Sequence, residues 1–456
     1  MKAFTKQNIV IVGGGYLGVM CSLLFSQKPD VHVTLIEKQN RLCGLYNSAH
    51  AMGGRFFDYG SRAILQTGVS KVDDVLFSLL PDEIYPKTKD NLREFSFQSG
   101  MFCSHTNCLD ARLLPKELFE RGKEELLQIP SNGVSNRSFD NLQDFALSTY
   151  GSVFTNNLIA PVMEKSTGLH LAHLHPNALN IHGLNRIIIA DGIESREMKE
   201  SSAFNDSRIA FAKFNDNASS VTKTYPITGG LSDFSRRMFD YLKQKENVDV
   251  ILGASVQRLN QEDNRLAAIV LDSDKTVKCD NLIWTIPSFL FAKLTKSNLE
   301  GLAFPSFRNT LLAHFILDCE LQTDAHFVYN YDKNCISYRT SFYDNYSASV
   351  DQFKSLSVEV FLDDEDADFD KLNEQILTEL KSSTVVSRLK KVINSETQLH
   401  RGSWPDFNVN FFESQNEINK RAKGDIRNVH FLGKTNGSHH SSALVHSAAE
   451  LFDQLV

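Results

Sequence analysis

No run of 18 or more apolar residues occurs in the 456-residue chain, so the sequence offers no membrane-spanning helix. Basic residues are not in excess. With 48 Lys and Arg against 55 Asp and Glu the formal charge is -7, which gives no electrostatic reason to expect a nucleic-acid partner. The cysteines Cys21, Cys43, Cys103, Cys108, Cys279, Cys319 and Cys335 are odd in number, scattered and without a CxxC pair. Free thiols in a reducing, cytoplasmic compartment are therefore expected rather than a disulfide framework. A P-loop, a CxxC…CxxC zinc pattern and a Ser-His-Asp order are all missing. Hydrophobic residues at 42% and charged residues at 23% exclude a disordered or fibrous chain, and the length allows about two to four domains.

Lys2 and Lys6 ahead of the apolar stretch Ile9 to Phe25 resemble a secretory signal, but glycines interrupt the stretch and no small-x-small cleavage site follows. A different reading accounts for every residue there. Asn8-Ile-Val-Ile-Val12 is a β-branched run fit for one buried parallel strand. Gly13-Gly-Gly15-Tyr16-Leu17-Gly18 completes a GxGxxG, a helical stretch follows from Val19 to Gln27, and Pro29-Asp30 breaks it. A second strand, Val31 to Ile36, ends at Glu37. This is the context that a dinucleotide fingerprint requires. Gly13 permits the tight turn, Gly15 lets backbone approach a pyrophosphate, and Gly18 lets helix pack on strand. The helix N-terminus offers N–H groups to phosphates, and Glu37 stands near the distance expected of a carboxylate accepting from ribose hydroxyls.

The run Glu37-Lys38-Gln-Asn-Arg41-Leu-Cys43-Gly44-Leu45-Tyr46 resembles the E-x3-R-x-G-G extension of the FAD-binding flavoprotein superfamily. That superfamily includes monoamine oxidases, protoporphyrinogen oxidases, carotenoid desaturases and UDP-galactopyranose mutases. The resemblance implies that Arg41 and Gly44 hold the pyrophosphate, with Tyr16, Leu17, Lys38 and Leu45 beside the coenzyme. Cys43 departs from the family's first glycine. Phe57-Asp58-Tyr-Gly60-Ser-Arg62 is similar to the family's turn near the flavin and makes Arg62 a candidate for contact with substrate. Tyr225-Pro-Ile-Thr-Gly229-Gly230-Leu231, followed by a helical stretch to Lys243, resembles the "yP-x-GG" segment. Strands are expected at Val248–Leu252, Ala254–Leu259, Arg265–Leu271 and Thr276–Pro287, the last two as a hairpin. In relatives the equivalent of Val256 meets adenine through its backbone, and Thr285 falls in the "vi-x-T-x-P" segment.

Near the C-terminus, Val429-His-Phe-Leu-Gly433-Lys434 precedes a glycine-serine turn and a helix from Ser442 to Leu455. The resemblance places the start of that helix, with Ala443, at the flavin pyrimidine edge. His439 and His440, with His446 further on, then become candidates to stabilise anionic flavin or to act as a base. Gly433-Lys434 is closer to the Gly-Arg of UDP-galactopyranose mutases than to the oxidases' Gly-Asp. Pro161-Val-Met-Glu-Lys165-Ser-Thr-Gly168 is reminiscent of the mutases' "Y-x-E-K-x-x-G" and marks Lys165 as a substrate candidate.

The fold expected is α/β, a Rossmann-like FAD-binding domain interleaved with an α+β cap. The FAD domain draws on 1–70, 222–295 and 395–456; the cap on 71–221 and 296–394. The implied cofactor is non-covalent FAD and the implied partner a small-molecule substrate. The activity is expected to be that of an oxidoreductase of the amine oxidase/protoporphyrinogen oxidase type. A redox-neutral enzyme of the UDP-galactopyranose mutase type and a non-catalytic flavin-binding protein are the alternatives. The acidic run Asp363 to Asp370 lacks the turn glycine and final glutamate of an EF-hand and reads as the charged start of the helical pattern Leu372–Leu380. His170, His173 and His175 lack companion carboxylates or cysteines and read as a helix-entry loop, not a metal site. Pro130 to Arg137 reads as an exposed loop.

Overall fold

The computed structural model describes residues 6–130, 138–211, 221–347, 351–363, 366–433 and 440–456. The chain divides into two units: Met1–Thr88 with Val221–Phe304 and Phe412–Val456, and Lys89–Ser220 with Pro305–Phe411. Among the described residues no helix is long and apolar enough to cross a membrane. The expected loop at 130–137 falls almost wholly outside the described residues.

In the first unit the elements that matter run β1 (Gln7–Val12), α1 (Tyr16–Phe25), β2 (Val31–Glu37), β3 (Ser48–Met52) and β4 (Arg55–Asp58). They continue with α2 (Gly230–Lys243), β5 (Val248–Leu252), β6 (Val256–Glu262), β7 (Arg265–Leu271), β8 (Thr276–Lys278), β9 (Asn281–Trp284), β10 (Val429–Phe431) and α3 (Ser441–Leu455). A five-stranded sheet has the order β5-β2-β1-β9-β10, every neighbouring pair parallel. The β-branched run fills its middle: Ile9, Val10 and Ile11 are fully buried, as are Leu282 and Ile283 of β9. Val10, Val12, Leu282, Trp284 and Phe291 share one apolar cluster.

Two local readings need correction. Helix α1 starts at Tyr16 rather than Val19, because the helix forms directly from the glycine turn and takes Gly18 into its first turn. The expected hairpin Thr276–Pro287 is two strands. Only β8 pairs with β7, while β9 enters the parallel sheet beside β1, held at its start by Asn8 N and Nδ2 donating to the Asp280 carboxylate at 2.7 and 2.9 Å.

The second unit is built on a seven-stranded sheet. Its order is Val386–Pro405, Phe307–Leu321, Phe353–Leu362, Ser337–Phe342, Phe327–Asn330, Glu94–Gln98 and Met101–Cys103. All neighbours are antiparallel except Phe327–Asn330 with Glu94–Gln98. Leu311, Ala313, Phe315 and Leu317 alternate along the longest buried strand and meet Ile376 and Leu380 of the helix Phe369–Ser382. Asp368 caps that helix, accepting from Asp370 N and Lys371 N at 3.1 and 3.2 Å, so the end of the acidic run serves as a helix start. Residues 395–405, assigned from sequence to the nucleotide domain, are the second half of the strand Val386–Pro405. The chain is thus α/β, with a parallel Rossmann-like sheet and a mostly antiparallel one.

Candidate functional site

The glycine turn between β1 and α1 is shaped by close approach. Gly13 has φ 104 and donates its N–H to Ile36 O at 2.9 Å, and a Cβ there would lie 2.5 Å from Thr285 Oγ1. At Gly18 a Cβ would stand 1.9 Å from the carbonyl oxygen of Gly13, so helix and turn touch backbone to backbone. Gly15 is different. It occupies the N-cap of α1 with extended backbone, and a Cβ there would meet nothing within 4 Å among the described residues. No side chain caps the helix, so its first N–H groups and the open space over Gly15 lie together.

Glu37 ends β2 beside this space. Its Oε2 accepts from Gly14 N and its Oε1 from Gln39 N, each at 2.7 Å, leaving further lone pairs on a half-buried carboxylate. Ala254 N donates to Glu37 O and Gly253 N to Gln39 O, which brings the chain leading into Val256 alongside. Arg41 is half-buried. Its Nη1 donates to Ser48 O at 3.0 Å, its Nη2 donates to the Tyr59 hydroxyl, and its guanidinium lies 5.3 Å over the Tyr59 ring.

Cys43 stands where the resemblance expects glycine, and the backbone explains that expectation: φ is 69, a left-handed conformation that side chains rarely adopt. Its N–H donates to Gly14 O at 2.7 Å, pairing this loop with the glycine turn. The thiol is fully buried; burial pushes it up to about 12, against a hydrogen bond with Ser235. The side chain is thus directed to α2. Gly44 is exposed, and a Cβ on it would lie 3.3 Å from Gly15 Cα.

Asp58 is part of a motif that by itself assigns it no task. The structure makes it a junction. Fully buried, it accepts from the Tyr225 hydroxyl at 2.6 Å, from Ser48 Oγ at 2.7 Å and from Leu231 N, at the start of α2, at 3.1 Å. Gly230 packs so closely that a Cβ would come within 2.6 Å of Phe56 and 2.7 Å of Ser48 Oγ. Ser48 Oγ also accepts from Ser232 N, and Asn47 and Leu42 O take hydrogen bonds from Ser232 and Ser235. The start of α2 is therefore stitched to the loop that carries Arg41. The only signal in the sequence was the pairing of two motif resemblances far apart in the chain.

Burial pushes the Asp58 carboxyl up to about 6, even though Tyr225, Ser48, Leu231 N–H and the charge of Arg62 pull it down. The folded protein therefore holds a proton here that the unfolded chain releases. The stability this group contributes is full below the ordinary aspartate range near pH 4 and is lost as pH rises through about 6. In denaturant unfolding from pH 4.5 to 7.5, Asp58→Asn is expected to flatten the wild-type pH dependence by about 2 kcal/mol. An unchanged slope would contradict this assignment.

The other candidate residues fall as follows. Tyr16 is buried at the start of α1 and stacks on Tyr46 at 4.2 Å; Leu17 is buried, whereas Lys38 and Leu45 are exposed. Thr285 Oγ1 donates to Val12 O and Gly13 O at 3.0 and 3.1 Å, fastening β9 to the glycine turn. Gly433 has φ 131 and lies close to Thr285 O. Val256 pairs with Leu271 at the start of β6. Arg62 donates Nε to Tyr59 O at 3.2 Å and lies 5.8 Å over the Tyr46 ring. His440 immediately precedes α3, and Ala443 is in its first turn; Lys434 and His439 lie outside the described residues. His446 Nε2 lies on α3 next to Gly68. Lys165, in the second unit, donates Nζ to Asn330 O and Asp332 O, both at 2.7 Å, and burial lowers it to about 8. These bonds tie down a loop between two strands. His170 Nδ1 accepts from Ala172 N at 3.2 Å in the turn leading from helix to loop.

A family profile described as "NAD(P)-binding Rossmann-like domain" matches residues 11–78. No curated protein is similar enough to the chain to count as a match. Among solved structures, the chain is similar to a provisionally named protoporphyrinogen oxidase from Exiguobacterium, with TM-score 0.71 and 17% identity over 98% of each chain. A reduced UDP-galactopyranose mutase gives TM-score 0.72 and 13% identity, over 99% of this chain and 94% of that one. A putrescine oxidase variant redesigned in cofactor binding gives 0.63 and 14%, over 98% and 99%. The chain therefore has the overall fold that these solved structures share, and its residues 11–78 are similar to the Rossmann-like profile.

Proposed function

We propose that the protein is an FAD-dependent oxidoreductase of the amine oxidase/protoporphyrinogen oxidase type. The observation that carries the reading is the open space over Gly15 at the uncapped start of α1, with Glu37 bonded to the neighbouring Gly14 N and the loop that carries Arg41 paired to the turn through Cys43 N. A dinucleotide's diphosphate fits that donor set: helix N–H groups and a guanidinium for the anion, a carboxylate for ribose hydroxyls. Gly13, Gly15, Gly18, Glu37, Arg41, Gly44, Val256 and Gly433 would hold the coenzyme without a covalent bond. When bound, the flavin supplies hydride acceptance at its N5 atom. The protein's part is to bind the diphosphate, fix the turn around it and keep Arg41 oriented through Ser48 and Tyr59. Resemblance to the protoporphyrinogen and putrescine oxidases supports a redox reaction on a small molecule.

Glu37→Ala is expected to weaken FAD binding by roughly tenfold, the worth of hydrogen bonds between a charged group and ribose. Equilibrium titration of the apoprotein measures it, and unchanged affinity would count against the ribose role.

The likeness to a UDP-galactopyranose mutase favours a second reading, a redox-neutral reaction on a nucleotide sugar. Anaerobic mixing separates the two. Bleaching of oxidised flavin by a candidate amine or other hydride donor supports the oxidoreductase; turnover of a nucleotide sugar only after dithionite reduction supports the mutase. A protein that binds flavin and does neither with any candidate is the non-catalytic alternative.

A further inference from the structure

Arg41 donates three side-chain hydrogen bonds: a long one of 3.5 Å from Nε to Gln39 Oε1, and two shorter ones that go to residues around Asp58. Ser48, whose hydroxyl donates to Asp58 Oδ1 at 2.7 Å, presents its own carbonyl to Arg41 Nη1 at 3.0 Å. Tyr59, the next residue after Asp58, takes Arg41 Nη2 on its hydroxyl, and the guanidinium lies 5.3 Å from the centre of its ring. Asp58 is in turn anchored by Leu231 N, in the first turn of α2, on the same Oδ1, and by the Tyr225 hydroxyl on Oδ2. The carboxylate is fully buried and so is shut off from any ligand. Its influence must pass through its neighbours.

We infer that Asp58 is a positioning residue for the coenzyme site: through Ser48 and Tyr59 it sets the direction of the Arg41 fork that receives the diphosphate. The inference rests on the FAD reading above and assigns a residue with no expected contact to the coenzyme. The physical basis is geometric. A guanidinium binds a diphosphate oxygen well only when its planar fork is pre-aligned, and a side chain held at two points loses less freedom on binding. Removing the anchor leaves the charge in place and lets the fork wander.

Binding of FAD to the full-length apoprotein, followed by flavin fluorescence quenching and by the visible circular dichroism of the bound flavin, tests it. Asp58→Asn and Ser48→Ala are each expected to weaken FAD about tenfold. Ser48→Thr, which keeps the hydroxyl, should bind like wild type. In an Arg41→Lys background, which keeps the charge and loses the fork, Asp58→Asn and Ser48→Ala should add little further loss. Equal losses in both backgrounds would overturn the positioning role, as would wild-type affinity in Asp58→Asn and Ser48→Ala. If Asp58→Asn fails to fold, the Ser48 variants carry the same cycle. A wild-type protein that binds no FAD overturns the coenzyme reading itself, a result distinct from wild-type binding with additive losses.

Discussion

Gly18→Ala is expected to destabilise the first unit by roughly 3 kcal/mol or more, a large share of an ordinary domain's stability. The added methyl would sit 1.9 Å from the Gly13 carbonyl oxygen, well inside contact distance, and neither partner can yield easily. Gly18 lies in the first turn of α1, fixed by its helical hydrogen bonds. Gly13 is fixed by Ile36 O on one side and by Thr285 Oγ1, which donates to its carbonyl, on the other. Relief would require α1 to lift from β1, exposing a helix whose every residue is buried. Urea unfolding monitored by far-ultraviolet circular dichroism measures the loss. A variant as stable as wild type would mean that α1 does not sit on the turn as described.

Gly15→Val is expected to do the reverse: little change in stability, within about 0.5 kcal/mol, and loss of FAD binding on the order of 100-fold or more. Gly15 has φ -63 and ψ 179, extended backbone that valine adopts readily, and among the described residues no atom lies within 4 Å of a Cβ placed there. The isopropyl group would fill that space and cover the start of α1, where the diphosphate needs backbone contact. Thermal unfolding and FAD titration on the same preparation separate the two effects. Normal FAD binding by a folded Gly15→Val protein would remove the glycine turn from the coenzyme site. The two glycines, three positions apart, thus divide into one the fold requires and one only a ligand requires.

Much of this site could be read from the sequence because its logic is local. Strand, turn, helix and second strand follow one another within Asn8 to Glu37, and each is announced by β-branched runs, glycines and a Pro-Asp break. The Asp58 junction was not legible, since Tyr225 and Leu231 join it from far along the chain and nothing in local periodicity pairs them. The strand Val386–Pro405 escaped for another reason. It lies at the edge of its sheet, half exposed and carrying three Ser, two Lys and two Arg, so it lacks the alternation of a strand with one buried face. Its pairing with Phe307–Leu321 is set by contacts remote in sequence. Lys165 has surroundings that the motif does not announce: its ammonium donates to two loop carbonyls, those of Asn330 and Asp332.

The visible absorption spectrum of the purified protein, before and after incubation with excess FAD and removal of unbound coenzyme, tests the central claim most directly. The account predicts a yellow protein with flavin bands and about one FAD per chain, released on denaturation without a covalent link. A folded protein that stays colourless after that incubation would contradict it.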